Sequence, residues 1–486
     1  MKKIHIIGGG LAGPEAALQA AALGCEVTLS EMRPLRSTEA HQTSDFAELV
    51  CSNSLKSESE NSAPWLLKQE MRRANSFLLQ AADASAVPAG HALAVDREIF
   101  SQRVAALIEQ QPRITIRREE ISTLPTQTDG TITILASGPL TSSPLAQSLQ
   151  QLTGASHLAF YDSISPIVDA STIDMSRCYL AARWDKGTAD YINCPFTREE
   201  YDAFIDALTA AEKIEHKSWE QIPTSNACHP ERSSEATQSK DPDGAQPSTP
   251  AENLSTTSSS FTPSYFEGCL PIEETARRGR DTLRFGPMKP AGLTDPRTGR
   301  WPYACVQLRQ ENLRADSYNL VGFQNSLRFG EQARILRMIP GLENAKFLRY
   351  GQIHRNTYIN APSLLTETLQ LKQHPHILIA GQLSGVEGYT ESIASGLLAG
   401  RFAAALAHGR QPEPAPRLSA NGSLTHYITH ADAKRFQPAN ITFDLLLPLE
   451  EELRKKIRDK KERHRIQCER ALAAWDAWLA KSLAPA

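Results

Sequence analysis

Short apolar runs and glycine turns alternate along the first thirty residues. Residues 3–7 form an apolar, β-branched run that predicts a buried strand. Gly8-x-Gly10-x-x-Gly13 follows directly, and the alanine-rich residues 14–23 then predict a helix. Residues 26–31 predict a second strand, which ends in Glu31, 18 positions after Gly13. Strand, glycine turn, helix and acid-tipped strand together predict a βαβ dinucleotide-binding unit.

Each part of this unit has a physical task in nucleotide binding. The glycines permit a tight turn, let the backbone approach a pyrophosphate and allow close packing of helix on strand. The start of the helix offers oriented N–H groups and a partial positive charge to the phosphates. The acid is predicted to accept from ribose hydroxyls. The nucleotide-binding residues predicted here are Gly8, Gly9, Gly10, Leu11, Ala12, Gly13 and Glu31.

Two later segments repeat the pattern of an apolar strand followed by small residues. Residues 131–139 end in a small-residue turn, and residues 377–380 lead through Gly381-Gln382 and 385–389 into an alanine- and glycine-rich helix. Each segment alone is equally consistent with an ordinary buried strand. Together they resemble flavoproteins with two dinucleotide-binding domains, in which both ends of the chain build the FAD site. Many of those proteins have Gly-Asp where this chain has Gly-Gln, so the ribitol contact must differ.

The predicted fold class is α/β, with an FAD-binding Rossmann-like domain of the two-dinucleotide-binding type, an inserted α+β substrate domain and a C-terminal helical segment. The FAD-binding domain is predicted to comprise residues 1–155 and 346–415, the inserted domain 156–345, and the helical segment 416–486. Within the inserted domain, residues 228–264 contain 19 Pro, Ser or Thr in 37 positions. Such a composition buries too little apolar surface to offset its ordering entropy, so a disordered surface insertion is predicted.

Charge is nearly balanced over the 486 residues, with 52 basic and 55 acidic side chains. This balance excludes a globally basic nucleic-acid coat but leaves room for local basic faces. One is predicted on a helix over residues 450–479, since residues 454–470 carry nine Lys/Arg against three acids and Trp475 and Trp478 follow. That helix is either a solvated face docked by its tryptophans or a surface that contacts RNA phosphates. A second basic stretch spans residues 277–303.

Several classes of protein are excluded by what the sequence lacks. No run of 18 apolar residues predicts a membrane span, and the N-terminal apolar run is too short for a secretory signal. The eight cysteines are scattered and no C-x-x-C occurs, which excludes zinc ribbons and dithiol redox loops, and no metal site is predicted. A cytoplasmic protein with reduced thiols is predicted, with no stable protein partner implied.

Two of the cysteines have unusual neighbours. Cys51 precedes three small polar residues in the segment 50–55, and Cys269 follows a glycine between two acids in the segment 266–273. A cysteine is more often a small buried hydrophobe than a nucleophile. Reactivity needs a lowered pKa or a neighbouring base. The sequence pattern alone leaves both interpretations open for each thiol.

Nearly the whole chain resembles one family in a series of ordered segments. These are residues 8–13, 31–34, 46–55, 70–74, 94–97, 266–273, 285–290, 350–351 with 354–358, and 385–389. In them the chain resembles the bacterial folate- and FAD-dependent tRNA (uracil-C5) methyltransferases, the TrmFO family. Only residues 228–264 look foreign to it, which supports an insertion. The related wobble-uridine-modifying flavoproteins share the FAD architecture but not the segments around Cys51 and Cys269.

The resemblance implies an activity and its cofactors. It implies a cytoplasmic enzyme that converts uridine 54 in the T loop of tRNA to 5-methyluridine, with tRNA as its partner. The one-carbon donor would be 5,10-methylenetetrahydrofolate, the reductant would be reduced FAD, and NADH or NADPH would supply the electrons.

The resemblance also implies roles for individual residues. Cys51 and Cys269 match the catalytic pair of the family, with Cys269 favoured as the nucleophile at uracil C6 and Cys51 as the thiol beside the flavin. Tyr389 matches a tyrosine that lies against the flavin ring. The cofactor-binding residues implied at the late segment are Gly381, Glu387, Gly388 and Tyr389.

Three other functions remain as alternatives. An FAD- and folate-dependent enzyme that modifies the wobble uridine of tRNA is disfavoured by the two cysteine segments. A flavin-dependent oxidase of small amines or hydroxyacids has no need of the basic terminal helix. A non-catalytic RNA-binding flavoprotein would keep the basic faces and would have no use for the thiols.

Overall fold

The protein is represented by a computed structural model that describes residues 3–38, 40–125, 130–155, 158–185, 187–214 and 270–482. The predicted insertion at 228–264 and Cys269 lie outside the described residues. The strands are β1 (Ile4–Ile7), β2 (Val27–Glu31), β3 (Ser54–Ser57), β4 (Ala86–Val87), β5 (Ala92–Val95), β6 (Ile114–Arg118), β7 (Ile132–Leu135), β8 (Leu158–Ser163), β9 (Ile167–Asp169), β10 (Tyr179–Leu180), β11 (Ile192–Phe196), β12 (Ala304–Gln310), β13 (Ser317–Leu320), β14 (Phe347–Arg349), β15 (Ile353–Tyr358) and β16 (Ile377–Ile379). The helices are α1 (Ala12–Ala22), α2 (Ala63–Arg73), α3 (Phe77–Asp83), α4 (Arg97–Glu109), α5 (Ser143–Thr153), α6 (Arg198–Ala210), α7 (Ile272–Arg277), α8 (Thr282–Phe285), α9 (Phe329–Leu336), α10 (Ala361–Leu364), α11 (Tyr389–Ala407), α12 (Ala420–His430), α13 (Glu451–Lys456) and α14 (Lys460–Ser482).

A five-stranded parallel sheet of order β16-β7-β1-β2-β6 carries the first βαβ unit. Central β1 pairs with β2 on one side and β7 on the other, in a register that sets Ile4 opposite both Val27 and Ile132. Strand β16 pairs with β7, so the predicted early and late segments are adjacent strands of one sheet. Because carboxyl ends of parallel strands share one edge, the loops after β1, β7 and β16 meet there. The predicted α/β fold is confirmed.

Helices from opposite ends of the chain pack closely beside this sheet. A Cβ placed on Gly396 of α11 would collide with the backbone of Ala12 in α1, and one on Gly400 would collide with the backbone of Ala16. Two glycines one helical turn apart therefore let the two backbones touch. This contact fixes the middle of α11 against the first two turns of α1.

The inserted region is built on a six-stranded sheet of order β10-β11-β12-β13-β9-β14, whose strand pairs are antiparallel. Strands β8 and β15 form a separate antiparallel pair, through which the chain enters and leaves this region. A small sheet, β3-β5-β4, lies between the glycine loop and the inserted region in sequence. The predicted domain boundaries stay a prediction.

The C-terminal segment differs from the single helix predicted over 450–479. It forms α13 and α14, and the break falls at Ile457, where φ is −101° and ψ is 103°. The tryptophans anchor α14, as the interpretation of a solvated helix docked by its tryptophans predicts. Trp475 is fully buried and stacks on Trp478, with ring centroids 4.7 Å apart. The Trp475 indole N–H donates to the carbonyl of Glu70 at 2.7 Å. Among the described helices, none is both long and apolar enough to cross a membrane.

Candidate functional site

The glycine loop after β1 is shaped by close approaches that leave no room for side chains. Gly8 has φ of 115°, and a Cβ there would meet the backbone of Ala136 after β7. A Cβ on Gly13 would overlap the carbonyl oxygen of Gly8, which confirms the predicted tight helix–strand packing. Position 9 must also be glycine, because a Cβ there would lie 2.7 Å from the Phe46 ring. The glycine motif alone does not reveal this contact.

Open space lies where the phosphate of a dinucleotide is predicted. A Cβ on Gly10 would meet no atom within 4 Å, although Gly10 stands between two crowded glycines and next to the start of α1. Backbone N–H groups at the beginning of this helix carry the partial positive charge that binds anions. The loop therefore fits the pyrophosphate of FAD, with Gly10 as its open point.

Glu31 is held against the glycine loop at the end of β2. Its Oε2 accepts from the Gly9 N–H at 2.6 Å, and its Oε1 accepts from the backbone N–H and Nε of Arg33, each at 2.9 Å. Burial opposes its ionisation, but the charge and hydrogen bonds of Arg33 outweigh that effect and lower the pKa of Glu31. The carboxylate is thus ionised and fixed, and its remaining lone pairs suit ribose hydroxyls. Arg33 is a partner that the dinucleotide motif did not predict.

The late segment gathers its predicted residues beside α11. Gly381 and Gly388 have φ of 73° and 108°, a region that favours glycine. Gln382, which stands where many flavoproteins have an acid, donates to Glu387 at 2.6 Å. Glu387 is 8% exposed. Glu387 therefore supplies a carboxylate five residues after the position at which many flavoproteins carry an acid.

Cys51 lies in a loop that Tyr389 joins to α11. The phenol oxygen of Tyr389 accepts from the backbone N–H of Cys51 at 2.7 Å and from that of Ser52 at 3.2 Å. Burial and the neighbouring Cys51 raise the pKa of Tyr389, so it stays a neutral phenol. Cys51 is half-buried. Two residues separated by 338 positions thus meet, although contact of either one with a flavin ring stays a prediction.

An arginine holds the other side of the Cys51 loop. Arg97 is the first residue of α4, whose N-cap Asp96 accepts from Ile99 N at 3.1 Å. Its guanidinium donates to the carbonyls of Leu49 and, at 3.3 Å, Cys51. Its Nε also donates to Glu311 at 2.6 Å. The loop is therefore fixed by an ion pair that reaches into the inserted region.

Asn53 makes a second link between the Cys51 loop and the inserted sheet. Its side chain is fully buried and donates to the carbonyls of Val95 at 3.1 Å and Gln310 at 2.9 Å. Its Oδ1 accepts from the Nε of Arg309 at 2.9 Å. The amide of Asn53 thus ties the segment after Cys51 to β5 and to β12. The sequence showed Asn53 only as a small polar neighbour of the thiol.

A buried guanidinium nitrogen, the Nε of Arg349, lies near the Cys51 loop. Arg349 donates from Nη2 to the Ala40 carbonyl at 3.1 Å, but its Nε is buried and has no acceptor among the described residues. Burial and the charge of Arg97 lower the pKa of Arg349, while Tyr389 and Cys51 oppose that shift. A donor left this way fits a ligand with an anionic or carbonyl oxygen. This residue was not predicted.

The two basic stretches differ in how their charges are used. In residues 277–303 four of the six arginines pair with carboxylates: Arg277 with Glu274, Arg280 with Asp202 and Asp206, Arg284 with Asp281, and Arg297 with Asp295. In residues 454–470, Lys455, Arg465 and Arg470 pair with acids. Of the two stretches, residues 454–470 therefore present the larger positive surface. It is formed by the exposed residues Arg454, Lys456, Arg458, Lys460 and Lys461.

One further cluster combines residue types that bind metals. Glu367 Oε1 lies 3.0 Å from Nδ1 of His426 and 3.7 Å from Nδ1 of His430, and the two imidazoles stack 4.2 Å apart. The two histidines are four residues apart on α12, a spacing that is visible in the sequence. The carboxylate, Thr429 Oγ1 and a backbone carbonyl account for these nitrogens by hydrogen bonding, so we assign no ion.

The chain is similar to curated proteins over nearly its full length. A family model described as GIDA, glucose inhibited division protein A, matches residues 3–240 and 246–411. A protein of Koribacter versatilis named methylenetetrahydrofolate–tRNA-(uracil-5-)-methyltransferase TrmFO is 60% identical over 99% of this chain and 98% of its own length. A protein of the same name from Solibacter usitatus is 57% identical over 98% of each chain.

A solved structure is also similar. Aquifex aeolicus GidA, in its form II crystal, matches with a TM-score of 0.62 and 16% identity over 99% of this chain and 76% of that chain. At this identity the likeness shows the fold, which agrees with the parallel sheet and its split glycine segments.

Proposed function

Since the chain belongs to the TrmFO family of methylenetetrahydrofolate–tRNA-(uracil-5-)-methyltransferases, we propose that it methylates C5 of a uridine in tRNA. The observation that carries the proposal in the structure is the Cys51 loop, which Tyr389 fastens to the N-terminus of α11. This hydrogen bond supports a role for the Cys51 thiol near the edge of the sheet where a flavin is predicted. We take position 54 of the T loop as the target, as the resemblance implies.

The chain's own residues fit FAD as its bound cofactor. Gly10 and the N-terminus of α1 would hold the pyrophosphate, and Glu31 would hold the ribose. Arg349 offers its buried Nε to an oxygen of the flavin or folate. When bound, FAD supplies the electrons and methylenetetrahydrofolate the one-carbon unit, with NADH or NADPH as the proposed source of electrons.

The two cysteines divide the covalent work on the uracil ring. The Cys269 thiolate adds to C6, and the electron pair of the C5–C6 double bond makes C5 nucleophilic. After C5 has taken up the one-carbon unit, the Cys51 thiolate removes the C5 proton. The carrier nitrogen of the one-carbon unit leaves as a double bond forms between C5 and the methylene carbon. A hydride equivalent, which reduced FAD would supply, then converts the methylene to a methyl group as the bond from sulfur to C6 breaks and the C5–C6 double bond forms again. Arg97 and Arg349 favour this role, because nearby guanidinium groups stabilise a thiolate.

A covalent trap tests both the reaction and the division of roles. The test uses tRNA that carries 5-fluorouridine at the target. Because fluorine cannot leave C5 as a proton does, the covalent adduct between enzyme and tRNA persists. We expect wild-type holoenzyme to form a covalent band, Cys269→Ala to lose it, and Cys51→Ala to keep some adduct while losing turnover. FAD absorbance should stay in both variants. Loss of the band only in Cys51→Ala would exchange the two roles.

Nucleoside analysis tests the proposal independently of the cysteines. tRNA from a strain that lacks the gene should lose 5-methyluridine and regain it when the gene is restored. A change at the wobble uridine instead would replace the proposed reaction with that of the related flavoenzymes. Wild-type rates of methylation in both cysteine variants would refute their assignment.

A further inference from the structure

Two tryptophans of the inserted region form an exposed pair. Trp184 and Trp301 are 53% and 51% exposed. Their rings meet edge to face, with centroids 5.2 Å apart and planes at 87°. Single exposed apolar side chains are common and need no explanation, but two large aromatic rings that meet in solvent mark a contact surface.

The backbone beneath this pair is strained. Trp184 has φ of 61° and ψ of 27°, and Asp185 has φ of 50°. The left-handed region costs an L-residue roughly 1–2 kcal/mol, and a bulky side chain there is a genuine outlier. Two such residues in succession persist only where surrounding contacts impose them, and this kind of strain concentrates at functional sites.

Those imposing contacts come from the loop 289–292. The Trp184 N–H donates to the Gly292 carbonyl at 2.7 Å, and a Cβ on Gly292 would lie 2.6 Å from the indole ring. The guanidinium of Arg183 donates to the carbonyls of Lys289, at 3.0 Å, and Ala291. Glycine therefore makes room for the ring while the neighbouring arginine fastens the turn. The exposure of Trp184 is set by the fold.

Basic residues outnumber acids in the immediate surroundings of the pair. Arg183 precedes Trp184, Arg300 precedes Trp301, and Lys289 lies in the loop whose backbone carbonyls accept from Arg183, while Asp185 is the one acid next to either ring in sequence. Exposed aromatic rings beside guanidinium and ammonium groups are the chemistry that binds unstacked bases and their phosphates. A stable protein partner would need a wider apolar patch than two rings provide.

We propose that Trp184 and Trp301 form a stacking platform for an unstacked base of the RNA substrate. This inference rests on the proposed function, since it takes tRNA as the ligand. Hydrogen bonds and strand pairing also connect the segment that carries Trp184 to the region of the Cys51 loop. Asp190, in the same connection as Trp184, accepts from the Gly90 N–H at 2.9 Å, and Gly90 lies between β4 and β5. Strand β5 pairs with β3, which follows the Cys51 loop.

The test measures binding of an unmodified tRNA transcript to the full-length holoenzyme at several salt concentrations. We expect Trp184→Ala and Trp301→Ala to weaken binding by about 5- to 100-fold each, because a base–aromatic stack is lost. The log–log salt slope should stay constant, since no phosphate contact is removed. Trp184→Tyr should restore most of the affinity. In methylation assays KM for tRNA should rise while kcat changes little.

A matched control is Phe329→Ala, since Phe329 is 52% exposed and also packs against an aromatic ring, that of Tyr350. It should bind tRNA as wild type does. Melting temperature and FAD absorbance report folding, and if Trp184→Ala unfolds, Trp301→Ala carries the test.

Two outcomes would overturn the platform: affinities within twofold of wild type for both tryptophan variants, or an equal loss in Phe329→Ala. The first would assign the pair to another kind of partner, such as a protein. Failure of the proposed function looks different, since wild type would then bind tRNA through the pair and leave the uridine unmethylated.

Discussion

The glycine loop and the Cys51 loop meet the same region of the molecule but are built in opposite ways. The glycine loop is shaped by missing side chains, since Cβ atoms on Gly8, Gly9 and Gly13 would collide with neighbouring atoms. The Cys51 loop is held by hydrogen bonds to side chains that are distant in sequence, among them Tyr389 and Arg97. The glycine motif is visible locally in the sequence, even though its collision partners Phe46 and Ala136 are distant, whereas a network of distant donors and acceptors leaves no local motif.

The largest expected effect breaks the glycine loop itself. Gly13→Ala places a methyl group over the Gly8 carbonyl, and both partners are backbone, so the strand and helix must separate. We expect a loss of at least about 3 kcal/mol in the free energy of unfolding and no retained FAD. Gly10→Ala is the matched control when both variants are compared in the FAD-free state, because its Cβ meets no protein atom within 4 Å. Equal melting temperatures of the two variants would contradict the steric account.

The next effect removes a donor from the Cys51 loop. Arg97→Met leaves Glu311 buried without its charge partner and the carbonyls of Leu49 and Cys51 without this donor. We expect a stability loss of about 3–5 kcal/mol, measured by denaturant unfolding, and a large fall in kcat. Retained FAD in the folded fraction would separate this loop from the glycine loop. A kcat near that of wild type would show that Arg97 does not position Cys51.

A smaller change tests the link to α11. Tyr389→Phe keeps the ring and removes the oxygen that accepts from the N–H groups of Cys51 and Ser52. An unsatisfied donor costs about 1–3 kcal/mol, so kcat for methylation should fall roughly 10-fold or more. FAD content should be unchanged. Tyr389→Leu, which also removes the ring, should bind FAD more weakly if the ring contacts the flavin.

The smallest expected effect is a pH dependence of stability that arises in α1, the helix that follows the glycine loop. Burial raises the pKa of Glu15, in α1, from an ordinary 4.5 to about 7. The folded state therefore binds this proton more tightly than the unfolded state, and the stability it contributes is complete below pH 4.5 and lost as pH rises through about 7. Glu15→Gln should flatten the fall of stability over this window.

Unfolding free energies at pH 5 and pH 8 check that expectation. Burial also raises the pKa of Glu70 to about 7, so wild type and variant share that dependence and their difference isolates Glu15. A difference that does not change with pH would mean that Glu15 keeps an ordinary pKa.

Sequence patterns predicted the local features well. The strand, glycine turn and acid of the first unit, and the two later strands, were placed within a few residues because period and turn chemistry are local. The break at Ile457 was missed because residues 450–479 have a continuous helical composition. Arg97, Glu311 and Asn53 were missed as a unit because only the pairing of β5 and β12 with their neighbours brings them to Cys51.

The glycine contacts between α1 and α11 have a consequence for biosynthesis. Strand β1 leaves the ribosome roughly 20–70 s before β16, at typical elongation rates of about 5–20 residues per second. From its own synthesis until that of β16, β7 presents an unpaired apolar edge, and Ala12 and Ala16 lack the helix that covers them. A nascent chain or a truncated product that ends before residue 377 is therefore an aggregation hazard, and the split site is completed only after more than three quarters of the chain has been synthesised.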